Sequence, residues 1–496
     1  MNSQNYNFYN NEFHENNCDS VFYILLKSTL FLTLAFIILE IGADIKTIQE
    51  ILPSLNLDFL VPIKISTFCL TLSCIIYLIG LPLRENRKIF NPYRALKSTM
   101  PRIKNIIFFI LLYLAFDLMS LSYTNYPNLA LPKYFTSISM AILLILSSVY
   151  INTKDGDNKT NVFLIIFAIS SLLLAVSAFL YFFIKGETYF TRRLSLINNY
   201  NKFAFSIIFG FYSALYYLFR SNTEYRKRNL AILIISVICI SAIYLSGSRR
   251  CHFMLKLTLP VIYLYGFIDV LLFYKDDLKN NFTHIMEYII SISLIFLLTI
   301  GIIWMYNSKT TKYSEKLAKE NPGIENLIAS RDVNTILKDE NSMDKRDTLW
   351  RIARESFQNF DTQQEKIIGR GASYHFEIYD FEENKNIIED MYQRKLGTLD
   401  THPHNFLFVD LLDGGYAKVC ITLLMLLSAL IFIFKLLKIS TVDTIFLLIF
   451  SIILLGDMFL EVRNGILDYK FLWLMLLLFI SISHEFNIFN KRKVIK

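Results

Sequence analysis

A chain of 496 residues with 54% hydrophobic residues, 15% aromatics and a mean hydropathy of +0.41 is too apolar for one soluble domain or for several. Its apolar residues fall in runs of about 18 to 24, the length a helix needs to cross about 30 Å of hydrocarbon, and few alternate with the period of two that barrel strands require. The net charge of +8 is not a nucleic-acid footprint, because the basic residues sit mainly between the apolar runs. The six cysteines lie mostly inside those runs, where a thiol behaves as a small hydrophobe, and they show neither a disulfide framework nor zinc spacing.

The first twenty residues are Asn-rich, contain no Lys or Arg and lack a small-residue cleavage site, so they read as an uncleaved cytoplasmic tail. Twelve membrane helices are then predicted, at 21–43, 60–83, 105–124, 134–151, 161–184, 203–220, 229–247, 253–273, 286–306, 415–437, 442–460 and 468–484. The fold class expected is therefore an all-α polytopic membrane protein. The segment "RENRKIFNPYRALKSTMPRIK" after the second run holds seven Lys/Arg, "RSNTEYRKRN" after the sixth holds four and the C-terminal "KRKVIK" four. Basic loops stay in the cytoplasm, which puts both termini inside and the one long loop, about residues 307–404, outside. With 15 Lys/Arg and 18 Asp/Glu, that loop has soluble character. The organisation expected is residues 1–306 as the first nine membrane helices, 307–414 as a mostly helical external loop domain, and 415–496 as the last three helices.

Polar chemistry collects on that external face. After the seventh run, "YLSGSRRCHF" makes a Ser-Gly-Ser turn followed by Arg249 and Arg250. Paired guanidiniums at a helix end are either snorkelling side chains or a clamp whose planar forks match phosphate oxygens. In the loop, "DKRDTLWRIARESFQNF" has Trp350, Ala353, Phe357 and Phe360 at helical spacing, with Asp344 as an expected N-cap and Arg346 in the first turn. A cation there opposes the helix dipole unless an anion binds beside it; the other reading is an ion pair with a loop carboxylate. "IIGRGASYHF", with Gly369 and Gly371, reads as a turn rather than a phosphate cradle.

The stretch "THPHNFLFVDLLDGG" puts His402, His404 and Asn405 ahead of a short apolar face and a Gly414-Gly415 break. The two histidines lack a third ligand in a recognisable metal spacing, so no metal is assigned. A general base is the sharper reading for one of them, since an imidazole with a pKa near 6.5 accepts a proton at neutral pH. "GDMFLEVRNG" adds Asp457, Glu461 and Arg463 at the same face, and charges at a membrane edge are functional candidates.

Taken in order, these motifs resemble the bacterial O-antigen ligase and polymerase superfamily of lipid-linked glycan transferases. The resemblance rests on "SGSR" after the seventh run, "RDTLW..A" in the loop, "HPHNFLF.DLLDGG", "SLSYTNYPNLAL", "RRLSLINNYNKFAF" and "GDMFLEVR", and so covers most of the chain. One departure stands out: Lys418 occupies the place where ligases carry the second Gly of a Gly-x-x-Gly. The resemblance implies a GT-C-like membrane glycosyltransferase in the bacterial inner membrane with its active site facing the periplasm. It implies His404 as the base that deprotonates the acceptor hydroxyl and Arg249 and Arg346 as contacts to an undecaprenyl diphosphate. Arg250, Asn405, His402, Asp457 and Arg463 are expected as auxiliary residues. The implied partners are an undecaprenyl-diphosphate-linked glycan, a lipid A-core acceptor and membrane lipids, with no cofactor and no nucleic acid. An O-antigen polymerase, a protein O-oligosaccharyltransferase and, from another class, a polysaccharide flippase remain as alternatives. A flippase calls for mid-membrane charges and an internal repeat.

Overall fold

The computed structural model describes residues 17–39, 65–80, 92–152, 158–185, 193–197, 199–221, 224–273, 278–320, 341–392, 395, 397, 399, 401–461 and 465–494. A long apolar run in hydrocarbon must satisfy its backbone internally and so becomes helical; no strand occurs among the described residues. In chain order the helices are α1 (Asn17–Leu39), α2 (Ile65–Gly80), α3 (Pro92–Ser120), α4 (Pro127–Ile151), α5 (Lys159–Lys185), α6 (Tyr200–Arg220), α7 (Tyr225–Leu245), α8 (Arg249–Phe273) and α9 (Leu278–Glu320). The loop region contributes α10 (Asn341–Gln358), α11 (Gln363–Ile368), α12 (Tyr374–Glu377) and α13 (Glu382–Tyr392), and α14 (Phe406–Leu436), α15 (Thr441–Glu461) and α16 (Lys470–Val494) complete the chain.

A helix overlies each of the twelve predicted segments. Nine described helices are long and apolar enough to cross a membrane, and α1 and α2 carry the shorter apolar stretches Tyr23–Leu39 and Ser66–Ile79. The described residues have the all-helical architecture of a polytopic membrane protein. α9 continues to Glu320, well past its predicted end at 306, because the helix runs on into the polar sequence that follows the apolar run.

Local sequence sets the helix ends that matter here. The Asn199 side chain caps α6, accepting from the Asn201 and Lys202 amides at 2.9 and 3.2 Å. Pro127 opens α4, where its missing N–H is no loss. α14 is broken at Gly415 (φ 62°, ψ −162°), so the short apolar face before the break forms a helix of its own ahead of the predicted membrane helix. α6 lies at the centre of the bundle, with 89% of its apolar stretch buried, against 17% of that of α9, which lies at the periphery. Phe205 and Phe209 of α6 meet Phe471 at ring-centroid distances of 4.8 and 5.2 Å, and Phe209 meets Phe450 at 4.9 Å. At the C-terminal end of α6, Arg220 is paired with Asp443 at 3.4 Å and with Glu485, tying α6 to α15 and α16. The candidate residues lie at the opposite end.

Candidate functional site

The turn between α7 and α8 is built by its own hydroxyls. Ser246 Oγ donates to Ile243 O at 2.6 Å and accepts from the Ser248 amide at 3.2 Å, while Gly247 takes φ +68°. Ser248 Oγ donates to Asn201 Oδ1 at 2.9 Å, fastening the turn to the start of α6. Arg249 and Arg250 therefore open α8, at the positive end of its dipole, which favours an anion. The two differ in surroundings. Arg250 is buried and pairs with Asp457 at 3.0 Å, and Asp457 also accepts the Tyr469 hydroxyl. Arg249 is only partly buried. Arg250 and Asp457, expected as auxiliary charges, thus hold α8 against α15 and α16.

The loop helices form a small core of their own in which Leu349, Ile352, Ala353 and Phe357 of α10 pack with Tyr374, Ile378, Tyr379, Ile388 and Leu412. α10 begins at Asn341 rather than after Asp344, so Asp344 is not the cap and Arg346 stands in the second turn, where the dipole acts on it less. One turn further on, Trp350 Nε1 donates to Pro403 O at 2.9 Å, which docks α10 on the His402–His404 segment. The His402 and His404 rings stand 3.8 Å apart, with Phe376 6.2 Å from His402. His404 has φ +54°, a left-handed conformation uncommon outside glycine and met at sites that hold a side chain in a fixed pose. Asn405 is buried and caps α14, its Oδ1 accepting from the Leu407 amide at 2.9 Å. Phe406 then meets Phe459, two residues beyond Asp457, at 4.9 Å.

A continuous line of contacts thus runs from Arg250 through Asp457 and Phe459 to Phe406, on through Asn405 and His404 to Pro403, and by way of Trp350 to the helix bearing Arg346. Arg249, Arg250, Asp457, His402, His404, Asn405 and Arg346 share one end of the molecule. Arg463 lies outside the described residues. Among the described residues no three or more His, Cys, Asp or Glu are grouped to hold a metal ion.

The glycine pair in "IIGRGASYHF" works as a turn and has an internal anion. Ser373 and His375 donate their amides to the Asp413 carboxylate at 2.9 and 3.0 Å, and His375 Nδ1 lies 2.9 Å from it. A Cβ at Gly369 (φ +75°) would fall 2.4 Å from the Asp413 carbonyl carbon, and one at Gly415 (φ +62°) 2.5 Å from that of Ile367. The two backbones touch, and only glycine fits on either side. Nearby, the open edge of α11 is held by Arg370, whose Nη2 lies 2.9 Å from Asp361 and whose Nε lies 3.2 Å from Glu365. Burial pushes the Glu365 carboxyl up, but the Arg370 hydrogen bond and the Thr362 and Asp361 amides outweigh it and hold the carboxyl below its ordinary value.

Two groupings of residues were not predicted from the sequence, although Lys418 was noted there as a departure from the ligase pattern. The first is a buried ionic cluster: Lys418 Nζ lies 2.5 Å from Asp117 and 3.7 Å from Asp410, while the Tyr113 and Thr422 hydroxyls donate to Asp410 at 2.5 and 2.7 Å. It borders a partly open cleft of about 400 Å³ that also reaches Lys133, Tyr134 and Ser373. Charges embedded in apolar runs were the available signal. The second is Arg193, whose guanidinium lies 3.8 Å over the Tyr200 ring and against Gly247. An apolar groove of about 800 Å³ runs between α3, α14, α15 and α16, lined by Ile106, Met425, Leu430, Met458, Leu472 and Met475 among others.

No model of a known protein family matches the chain, and no curated protein matches it.

Proposed function

We propose that the protein is an O-antigen ligase, a glycosyltransferase that moves a glycan from undecaprenyl diphosphate to a sugar hydroxyl of lipid A-core at the periplasmic face of the inner membrane. The observation that carries this reading is the line of contacts joining the Arg249 turn to His404, together with an apolar groove whose lining includes Met458, the residue after Asp457. A lipid-linked donor has those three parts: an apolar tail for the groove, a diphosphate for guanidiniums and a sugar for the base.

The chemistry follows from the groups. A sugar hydroxyl is a weak nucleophile, and a positioned base adds about 10²- to 10⁴-fold; His404 accepts its proton as the oxygen attacks the anomeric carbon. The bond from that carbon to the diphosphate oxygen breaks with its electron pair going to the diphosphate. Arg249 and Arg346 stabilise the growing charge with fixed donors, which in a partly dehydrated site act more strongly than water. A single displacement inverts the anomeric centre. The leaving diphosphate needs no proton and, with guanidiniums to receive its charge, no metal.

The test is transfer by purified protein from an undecaprenyl-diphosphate glycan, with EDTA throughout, with and without lipid A-core, beside His404→Ala. One step up in lipid A-core mass, absent in the variant, is expected. A ladder of longer lipid-linked chains made without lipid A-core would instead make the protein an O-antigen polymerase. No glycan product of either kind from the wild type would overturn the transferase reading.

A further inference from the structure

Arg193 is the guanidinium at this end of the molecule whose neighbours are least able to answer its charge. Its segment is fastened in place: the Leu194 amide donates to Leu245 O at 2.9 Å at the end of α7, and Ser195 Oγ donates to Ile197 O at 2.5 Å. The side chain then lies between two surfaces. On one side is the Tyr200 ring, 3.8 Å from the guanidinium carbon. On the other is Gly247, where an added Cβ would stand 3.3 Å from Arg193 Nε and 3.4 Å from its Cδ.

Among the described residues no carboxylate lies within ion-pair distance of Arg193, and its buried Nε has no hydrogen-bond acceptor in the protein. A buried N–H without an acceptor costs about 1–3 kcal/mol, more for a charged group, so such donors call for an explanation. Stacking accounts for the flat pose but gives the buried Nε–H nothing to bond. The next residues after Gly247 and Ser248 are Arg249 and Arg250, and Arg250 is neutralised by Asp457. The turn therefore brings Arg193 to the side of the α8 N-terminus, where a bound anion is favoured.

We propose that Arg193, held flat on Tyr200 beside Gly247, is a diphosphate contact that approaches the anion from the α6 side. This rests on the transferase reading, and it assigns Tyr200 as a positioning residue that acts through Arg193. The ligand chemistry is a diphosphate carried on a prenyl chain. Stacking on Tyr200 fixes the guanidinium plane and leaves its edge N–H groups to meet phosphate oxygens two at a time, which a lysine ammonium cannot do.

The test uses the full-length protein in detergent, with farnesyl diphosphate and inorganic pyrophosphate as probes and binding read by calorimetry. Losing a hydrogen bond to a charged group predicts about 10- to 100-fold weaker binding of both probes in Arg193→Gln, with an unchanged melting temperature. Arg193→Lys, the variant to rely on should Arg193→Gln not fold, weakens binding less. Tyr200→Phe keeps the ring and binds as wild type, while Tyr200→Leu weakens binding. An equal loss for both probes assigns Arg193 to the phosphates alone, and a loss confined to farnesyl diphosphate assigns it to the lipid-linked form. If Arg249→Ala weakens binding while the Arg193 variants bind like wild type, Arg193 is a surface stack and the proposal is wrong, with the transferase reading intact. If the wild type binds neither probe, the diphosphate reading itself fails.

Discussion

Around Lys418 each charge is met by another fixed group, whereas Arg193 is met by the face of a tyrosine ring. Both sets of residues sit at the same end of the bundle, and the difference is one of purpose. Lys418, Asp117 and Asp410 lie between α3 and α14 on the border of the cleft and satisfy one another, together with Tyr113 and Thr422. Burying them is costly, and such a pair contributes little net stability over a well-packed apolar one; it does make the contact between the two helices specific. A charge that is fully answered has no capacity left for a ligand. The turn at Gly247 keeps that capacity.

The contrast predicts opposite responses to substitution. Lys418→Met leaves two carboxylates buried without their cation, and about 3–5 kcal/mol of stability should be lost, seen as a lower melting temperature in detergent. Adding Asp117→Asn should recover part of it. A melting temperature that does not move would mean the cluster is open to water and the comparison fails. Arg193→Gln, by contrast, should stay within about 0.5 kcal/mol of wild type.

Gly415→Ala forces a left-handed alanine against the Ile367 carbonyl and should cost about 1–3 kcal/mol, with the loss of protection in hydrogen exchange spreading to α11, where the two backbones touch. Asn405→Ala removes the α14 cap and should cost about 1 kcal/mol, while Asn405→Asp retains most of it. A far larger loss of glycan transfer than of stability in Asn405→Ala would show that its side chain also meets substrate.

The smallest effect concerns pH. The folded Glu365 carboxyl titrates below its ordinary value of 4.5, so its contribution is complete above that value and is lost as pH falls through the folded one. Residues 361–370 should therefore keep their protection down to the ordinary value of 4.5 and lose it as pH falls further, through the folded carboxyl's lower value, and Glu365→Gln should remove that dependence.

The sequence made the membrane helices legible because an apolar run of the right length has one outcome in a bilayer. The Gly414-Gly415 break and the Ser-Gly-Ser turn were legible for the same local reason: each is punctuation that a helix cannot ignore. Pairings across the chain were not. Tyr113 and Asp410 meet although 297 positions separate them, and nothing near Arg250 in the sequence names Asp457 as its partner. The start of α10 went astray because Asp344 is a good cap by residue type, whereas the helix already includes it from Asn341 onward, and cap propensity alone does not fix where a helix begins. Arg193 was passed over since a loop arginine with no carboxylate beside it looks like any solvated charge until Tyr200 and Gly247 are seen on either side of it.

The central claim is that His404 is the base of a glycan transfer served by the arginine turn. The measurement that tests it most directly is single-turnover transfer from an undecaprenyl-diphosphate glycan to lipid A-core by wild type and His404→Ala, with binding of farnesyl diphosphate measured on the same preparations. The account predicts that transfer falls at least about 100-fold in the variant while binding is retained. Transfer at the wild-type rate by a folded His404→Ala protein would contradict it.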